Sequence, residues 1–175
     1  MALVPPPHTP EGAGTAEGWA DVEQALGTAL PQDYKGLIDT YGAGWFADWI
    51  CVFSPFSTRL PLVRPEWWRL MADHGGFPEY HHPFPMFPAQ NGLLPWGEDD
   101  NRHPFCWLTE REPDSWTVIN LDGHYSEAYR QIPTSVTGLL AGWLAGELIG
   151  DWYSEDVFPT QRRIFRQGNP QYPGG

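Results

Sequence analysis

Apolar residues recur at helical spacing from Trp19 onward: Trp19, Val22 and Leu26, with Ala25 and Ala29, line one face, while Asp21, Glu23 and Gln24 fall on others. This pattern predicts an amphipathic helix with Thr15 as N-cap. Its expected end is Leu30-Pro31, because the residue before a proline is pushed out of the α region. A second helix follows at once. Tyr34, Leu37, Ile38 and Tyr41 stand at i, i+3, i+4 and i+7, Asp33 lies near the start, and Gly42 can supply a left-handed C-cap.

The period then changes to two. In "FADWICVFSPF", Trp49, Cys51 and Phe53 alternate with Asp48, Ile50, Val52 and Ser54, which predicts one strand buried on at least one side. "RPEWWRLMADHGG" predicts a further helix with Pro65 in its first turn and Gly75-Gly76 behind it. The Pro-rich stretch 77–90 cannot be a central strand or a helix and is expected as a fixed loop over the core. "GLLPWG", "PFCWLTE" and "WTVINLD", separated by the polar turns "EDDNRH" and "REPDS", predict a meander, and "HYSEAYR" after Asp122-Gly123 can extend it. A last helix is expected from Thr134 or Ser135, with Val136, Leu139, Leu140, Trp143, Leu144 and Leu148 as a broad apolar face against the sheet.

Runs of strands segregated from helices imply one α+β domain with a mostly antiparallel sheet packed by helices. Composition places its limits. Residues 1–18 form a flexible Pro/Gly-rich N-terminal tail, frayed or draped, residues 19–150 the domain, and residues 151–175 a C-terminal extension. Clustered aromatics such as Trp45, Phe46 and Trp49, or Trp67 and Trp68, cannot all face one core, so loop, tail or partner is expected to cover some of them.

Charge narrows the partners. The 22 acids against 10 bases leave a net −12, and Lys35 is the single lysine. Nucleic acid is disfavoured, since Arg162, Arg163 and Arg166 form the one dense cationic group. The acidic exterior suits either solubility or encounter with a basic protein. Cys51 and Cys106, 55 positions apart in apolar stretches, read as buried reduced thiols of a cytoplasmic protein. The N-terminus lacks the basic and apolar regions of a standard secretory signal, and no apolar window approaches the roughly 18 residues of a membrane span.

Enzyme motifs are mostly missing: G-x-S-x-G, the phosphate-binding G-x-x-x-x-G-K-[ST] and H-E-x-x-H are not found. His74, His81, His82, His103 and His124, with Glu79 and Asp122, contain the parts of a metal site, but the adjacent His81 and His82 are poorly spaced to point at one ion. Glu98, Asp99 and Asp100 could form an acid/base pair if water were excluded; a solvated turn favours the plainer role. No catalytic residue, metal or cofactor is expected.

The residues "WADVEQALGTALPQDYKGLIDTYGAGWFADWICVFSPF" at 19–56, "NGLLPWGEDD" at 91–100, "FCWLT" at 105–109, "WTVINL" at 116–121 and "TGLLAGWLAGEL" at 137–148 resemble, in order, the SUKH superfamily of bacterial immunity proteins and yeast cell-wall-regulator relatives. That resemblance implies a single α+β domain. It assigns Pro31 and Asp33 to the stop and start of successive helices, and Pro95-Trp96-Gly97 to a bent strand whose indole enters the core. Where relatives often carry Gly-Asp after the acidic turn, this chain has Asn101, Arg102 and His103. The resemblance further implies a non-enzymatic cytoplasmic protein that binds and neutralises a cognate, basic protein toxin. Glu98, Asp99, Asp100, Glu110, Glu112 and Asp114 are the expected contacts, with the triplet either a contact or only a polar turn. The alternative is an interaction or regulatory module without a toxin.

Overall fold

The computed structural model describes residues 3–59, 62, 82–122, 128–147 and 163–168. The helix expected at 64–76 and the residues His74, Glu79, His81, His124, Leu148 and Arg162 lie outside them.

The first two helices start where polar caps and proline place them. Helix α1 (Ala16–Leu26) begins at Thr15, whose hydroxyl accepts the Gly18 N–H, and stops at Gly27 in the left-handed region, earlier than Leu30-Pro31. Helix α2 (Gln32–Tyr41) follows Pro31 and ends at Gly42, with Tyr34, Leu37 and Ile38 on its buried face.

The expected strand at 46–56 is instead a hairpin. Strand β1 (Gly44–Phe46) turns back into β2 (Ile50–Val52), with Phe46 paired to Ile50. Ala47 and Asp48 take φ of 53° and 58°, and the Trp49 N–H closes the turn on the Phe46 carbonyl. Two successive positive φ values give the turn whose twist suits tightly paired strands, here built without the usual glycine.

Strands β3 (Leu93–Asp99), β4 (Pro104–Leu108), β5 (Thr117–Leu121) and β6 (Tyr129–Ile132) form the expected meander; of "HYSEAYR", Tyr129 and Arg130 lie in β6, which runs on to Ile132, and 124–127 lie outside the described residues. Strand β7 (Phe165–Gln167), in the stretch read as an extension, pairs with β1. Among the described residues the seven strands run β6-β5-β4-β3-β2-β1-β7 with every neighbour antiparallel.

Side chains alternate across this sheet and give it two apolar faces. Leu94, Trp96, Phe105, Trp107 and Val118 join the main core, which receives Tyr34 and Ile38 of α2 and Leu139, Leu140 and Trp143 of helix α3 (Val136–Ala145). Tyr34 meets Trp107 edge-on at 4.9 Å between ring centres, and its hydroxyl donates to the Phe53 carbonyl at 2.6 Å. Leu93, Cys106, Leu108, Ile119 and Leu121 face the other way, under Phe84 and Met86 of the Pro-rich loop and Tyr129 of β6. The described part of that loop, 82–90, is fixed as expected: the Leu93 N–H donates to the Pro85 carbonyl and the Phe87 N–H to the Leu93 carbonyl. The register of β3 on β4 slips between Pro95 and Gly97, a bulge that leaves Trp96 completely buried, as the resemblance implies.

Described segments near both ends of the chain, 3–15 and 163–168, touch this frame. Val4 is buried and its carbonyl accepts the Tyr41 hydroxyl, while Glu11 bridges to Gly42. Phe165 of β7 packs on Tyr41 and Phe46, so the C-terminal strand covers part of the aromatic cluster around β1.

Candidate functional site

The acidic triplet sits where β3 turns into β4, and the turn is built around one carboxylate. Asp99 Oδ1 accepts the backbone N–H of Asn101 at 2.8 Å and of His103 at 2.9 Å, and Oδ2 lies 3.0 Å from His103 Nδ1. The Asp99 and His103 main chains also pair, and Arg102 takes a φ of 69° to close the three-residue loop. Asp99 is 1% exposed and Glu98 6%, so the expected solvated turn contains two buried acids. Burial raises the Asp99 carboxyl above its ordinary value, against the opposing pull of the His103 and Asn101 bonds. Glu98 is held by the guanidinium of Arg102, and Asp100 stands at the partly exposed tip.

Glu110, Glu112 and Asp114 occupy the next connection, between β4 and β5, and all three are exposed. Consecutive turns of a meander lie at opposite ends of its strands. The length of β4, five residues or about 17 Å, therefore separates these acids from the triplet. The six expected contacts do not form one patch. Asp114 also holds a helix end, since its Oδ1 accepts the Gln32 N–H at 2.6 Å and caps α2. Of the six, Glu98 and Asp99 are too buried to present their charges to a partner; Asp100, Glu110, Glu112 and Asp114 remain at the surface, the last while also capping α2.

The remaining chemistry is subdued. His103 Nδ1 lies 3.5 Å from Asp122 Oδ2 as well as near Asp99, so two carboxylates orient the imidazole. Among the described residues no group of three or more His, Cys, Asp or Glu side chains is arranged to hold a metal ion. Both cysteines are free and buried. Burial, then the Glu98 carboxylate, pushes the Cys51 thiol up, with Arg102 pulling the other way; burial alone raises Cys106. Thiols so held are protonated at neutral pH and poor nucleophiles.

One concavity was not expected from the sequence. A cleft of about 510 Å³ runs between α1 and α2, with Ala16, Trp19, Ala20 and Glu23 on one side and Lys35, Gly36 and Asp39 among the residues opposite. The signal that could have revealed it is the small-residue pair Ala16 and Ala20, one turn apart on α1, facing Gly36.

Fold and surface together define an α+β domain in which one antiparallel sheet carries helices on a face and acids on its turns. A family model described as SMI1-KNR4 cell-wall, of the SUKH group, matches residues 16–140, well over half of the chain, and the chain belongs to that family. The family includes immunity proteins and is generally non-enzymatic. No curated protein and no solved structure matches the chain. Among the described residues no helix is long and apolar enough to cross a membrane.

Proposed function

We propose that this chain is a non-enzymatic immunity protein that binds a cognate toxin inside the producing cell and blocks it by occlusion. The observation that carries the reading is membership of a family with immunity proteins, joined to a net charge of −12. A negative exterior accelerates encounter with a basic toxin by about 10- to 1000-fold at low salt, and close desolvated charge pairs hold the complex. Asp100, Glu110, Glu112 and Asp114 are surface carboxylates able to take part; Asp99 supports the reading only indirectly, by shaping the loop that carries Asp100.

The test is calorimetric titration of the chain with purified toxin domains encoded beside its gene, at two salt concentrations. The expected result is a one-to-one complex that weakens as salt rises. A complex indifferent to salt removes the acidic exterior from the contact. Absence of any complex with the neighbouring toxins moves the protein to the second reading, an interaction or regulatory module without a toxin, which the cell-wall description of the family favours.

A further inference from the structure

Between Glu11 and Tyr41 the chain carries six carboxylates, Glu11, Glu17, Asp21, Glu23, Asp33 and Asp39, against one cation, Lys35. The concave part of this acidic segment is the cleft between α1 and α2. Trp19, 6% exposed, forms its apolar floor, and the indole N–H donates to Asp39 Oδ1 at 2.9 Å. Asp39 Oδ1 also accepts the Gly14 N–H at 3.2 Å. Glu23 Oε1 accepts the Leu30 N–H at 2.9 Å and Lys35 Nζ at 2.8 Å. Each carboxylate thus makes these bonds through one oxygen, Asp39 through Oδ1 and Glu23 through Oε1. Lys35 neutralises Glu23, so Asp39 is the uncompensated charge of the cleft.

Gly36 supplies an independent indication. A glycine inside a helix weakens it relative to alanine, so its presence asks for a reason. Packing gives none, because a Cβ there would meet no atom within 4 Å. A larger side chain at this position would fill the cleft instead.

We propose that the cleft receives an arginine side chain of a basic partner protein, its aliphatic stem lying on Trp19, Ala16 and Ala20 and its guanidinium donating to Asp39 Oδ2. The volume, about 510 Å³, accommodates a side chain of that length, and the floor and rim match its apolar stem and planar charged head. Lysine fits less well, because a compact ammonium offers no fork of donors to a carboxylate. Naming the partner as a toxin rests on the reading above; the cleft's preference for arginine does not.

The experiment uses the full chain and the peptide acetyl-Gly-Arg-Gly-amide, with the uncharged citrulline analogue as control. Binding is followed through the indole N–H resonance of Trp19, assigned by its loss in Trp19→Phe. The arginine peptide is expected to shift it saturably, and the analogue to bind about tenfold more weakly. Asp39→Asn keeps an acceptor for Trp19 while removing the charge, and Gly36→Leu fills the cleft where space is open; each is expected to abolish most of the shift in a protein with unchanged circular dichroism. Equal shifts from both peptides, or an arginine shift that survives Gly36→Leu, overturn the proposal. A toxin complex unaffected by Gly36→Leu likewise removes the cleft from the contact while leaving toxin binding in place. An arginine-dependent shift without any toxin complex supports the cleft and defeats the toxin reading alone.

Discussion

The carboxylate of Asp33, in the first turn of α2, accepts two hydrogen bonds from Thr137, one from the backbone N–H at 2.9 Å and one from the hydroxyl at 3.0 Å. These residues are 104 positions apart. The bond caps the start of α3 from a neighbouring helix, beside the Ser135 hydroxyl that accepts the Gly138 N–H. Asp114 in turn caps α2. A share of the acid surplus therefore ties helix ends to one another and to the sheet, where orphan N–H groups and the helix dipole both favour a negative charge.

Asp33→Ala is expected to lower stability by about 1–2 kcal/mol, since it removes a cap and leaves the Thr137 donors unanswered. Urea denaturation measures it. Combining Asp33→Ala with Thr137→Ala should give less than the sum of the two single losses, because Thr137→Ala removes the hydroxyl bond to the same carboxylate while keeping the backbone one. Full additivity would mean that the hydroxyl bond contributes nothing.

Glycine at two positions should respond in opposite directions to alanine. At Gly97 a Cβ would lie 2.3 Å from the Cys51 carbonyl oxygen, a backbone atom of the paired strand β2. Gly97→Ala is expected to destabilise by about 1–3 kcal/mol, as overpacking does. At Gly36 the space is empty, and Gly36→Ala should stabilise by about 0.5–1 kcal/mol through helix propensity. Thermal melts of the two variants, with opposite shifts of Tm, check this contrast.

Two carboxylates link stability to acid with opposite signs. Glu23 is held below its ordinary value of 4.5: burial acts upward, and the Leu30 N–H and Lys35 outweigh it. The unfolded chain therefore takes up this proton first, and the Glu23 contribution is present above the ordinary value and lost as pH falls below it. Asp99 is held above its ordinary 3.8 by burial, so the folded protein takes up the proton first. Its ionised form costs stability, and that cost is relieved as pH falls through its raised value. Denaturation at a series of pH values between about 7 and 3 should show Glu23→Gln narrowing its deficit against the parent chain as acid is added. Asp99→Asn should widen its deficit over the same range. Parallel curves for either variant would contradict the assignment.

Periodicity exposed much of this fold. α1, α2, α3 and the strands β3 to β5 announce themselves because each presents an apolar stripe or alternation to a core, and Thr15 and Gly42 stand at the expected boundaries. The β1–β2 turn stayed hidden because Ala47 and Asp48 adopt positive φ with no local sign of it; the Ile164 carbonyl that accepts the Ala47 N–H and the Arg166 guanidinium beside Asp48 come from near the far end of the chain. Strand β7 was equally hidden, as three residues at a sheet edge carry no period. The acidic triplet was found, but its burial was not. An Asp next to another acid reads as solvated, and only the three bonds that converge on Asp99 explain how it is kept from water. The cleft needed two helices to be placed side by side.

The hold of β7 on the sheet can be divided between its ring and its charge. Arg166 Nε lies 2.7 Å from Asp48 Oδ1, but the arginine side chain is 57% exposed, so solvent screens the pair and Arg166→Ala should cost under about 1 kcal/mol. Phe165 instead sits 4.8 Å from the Phe46 ring centre and 5.3 Å from that of Tyr41. Removing that ring uncovers Phe46, itself 3% exposed, and Phe165→Ala should cost about 2–3 kcal/mol, near the lower end for aromatic truncation because Phe165 is only half-buried. Amide hydrogen exchange gives the second readout: the β1 amides of Gly44 to Phe46 should lose protection in Phe165→Ala and keep it in Arg166→Ala. Equal losses in both variants would show that the ion pair, despite its exposure, anchors the strand.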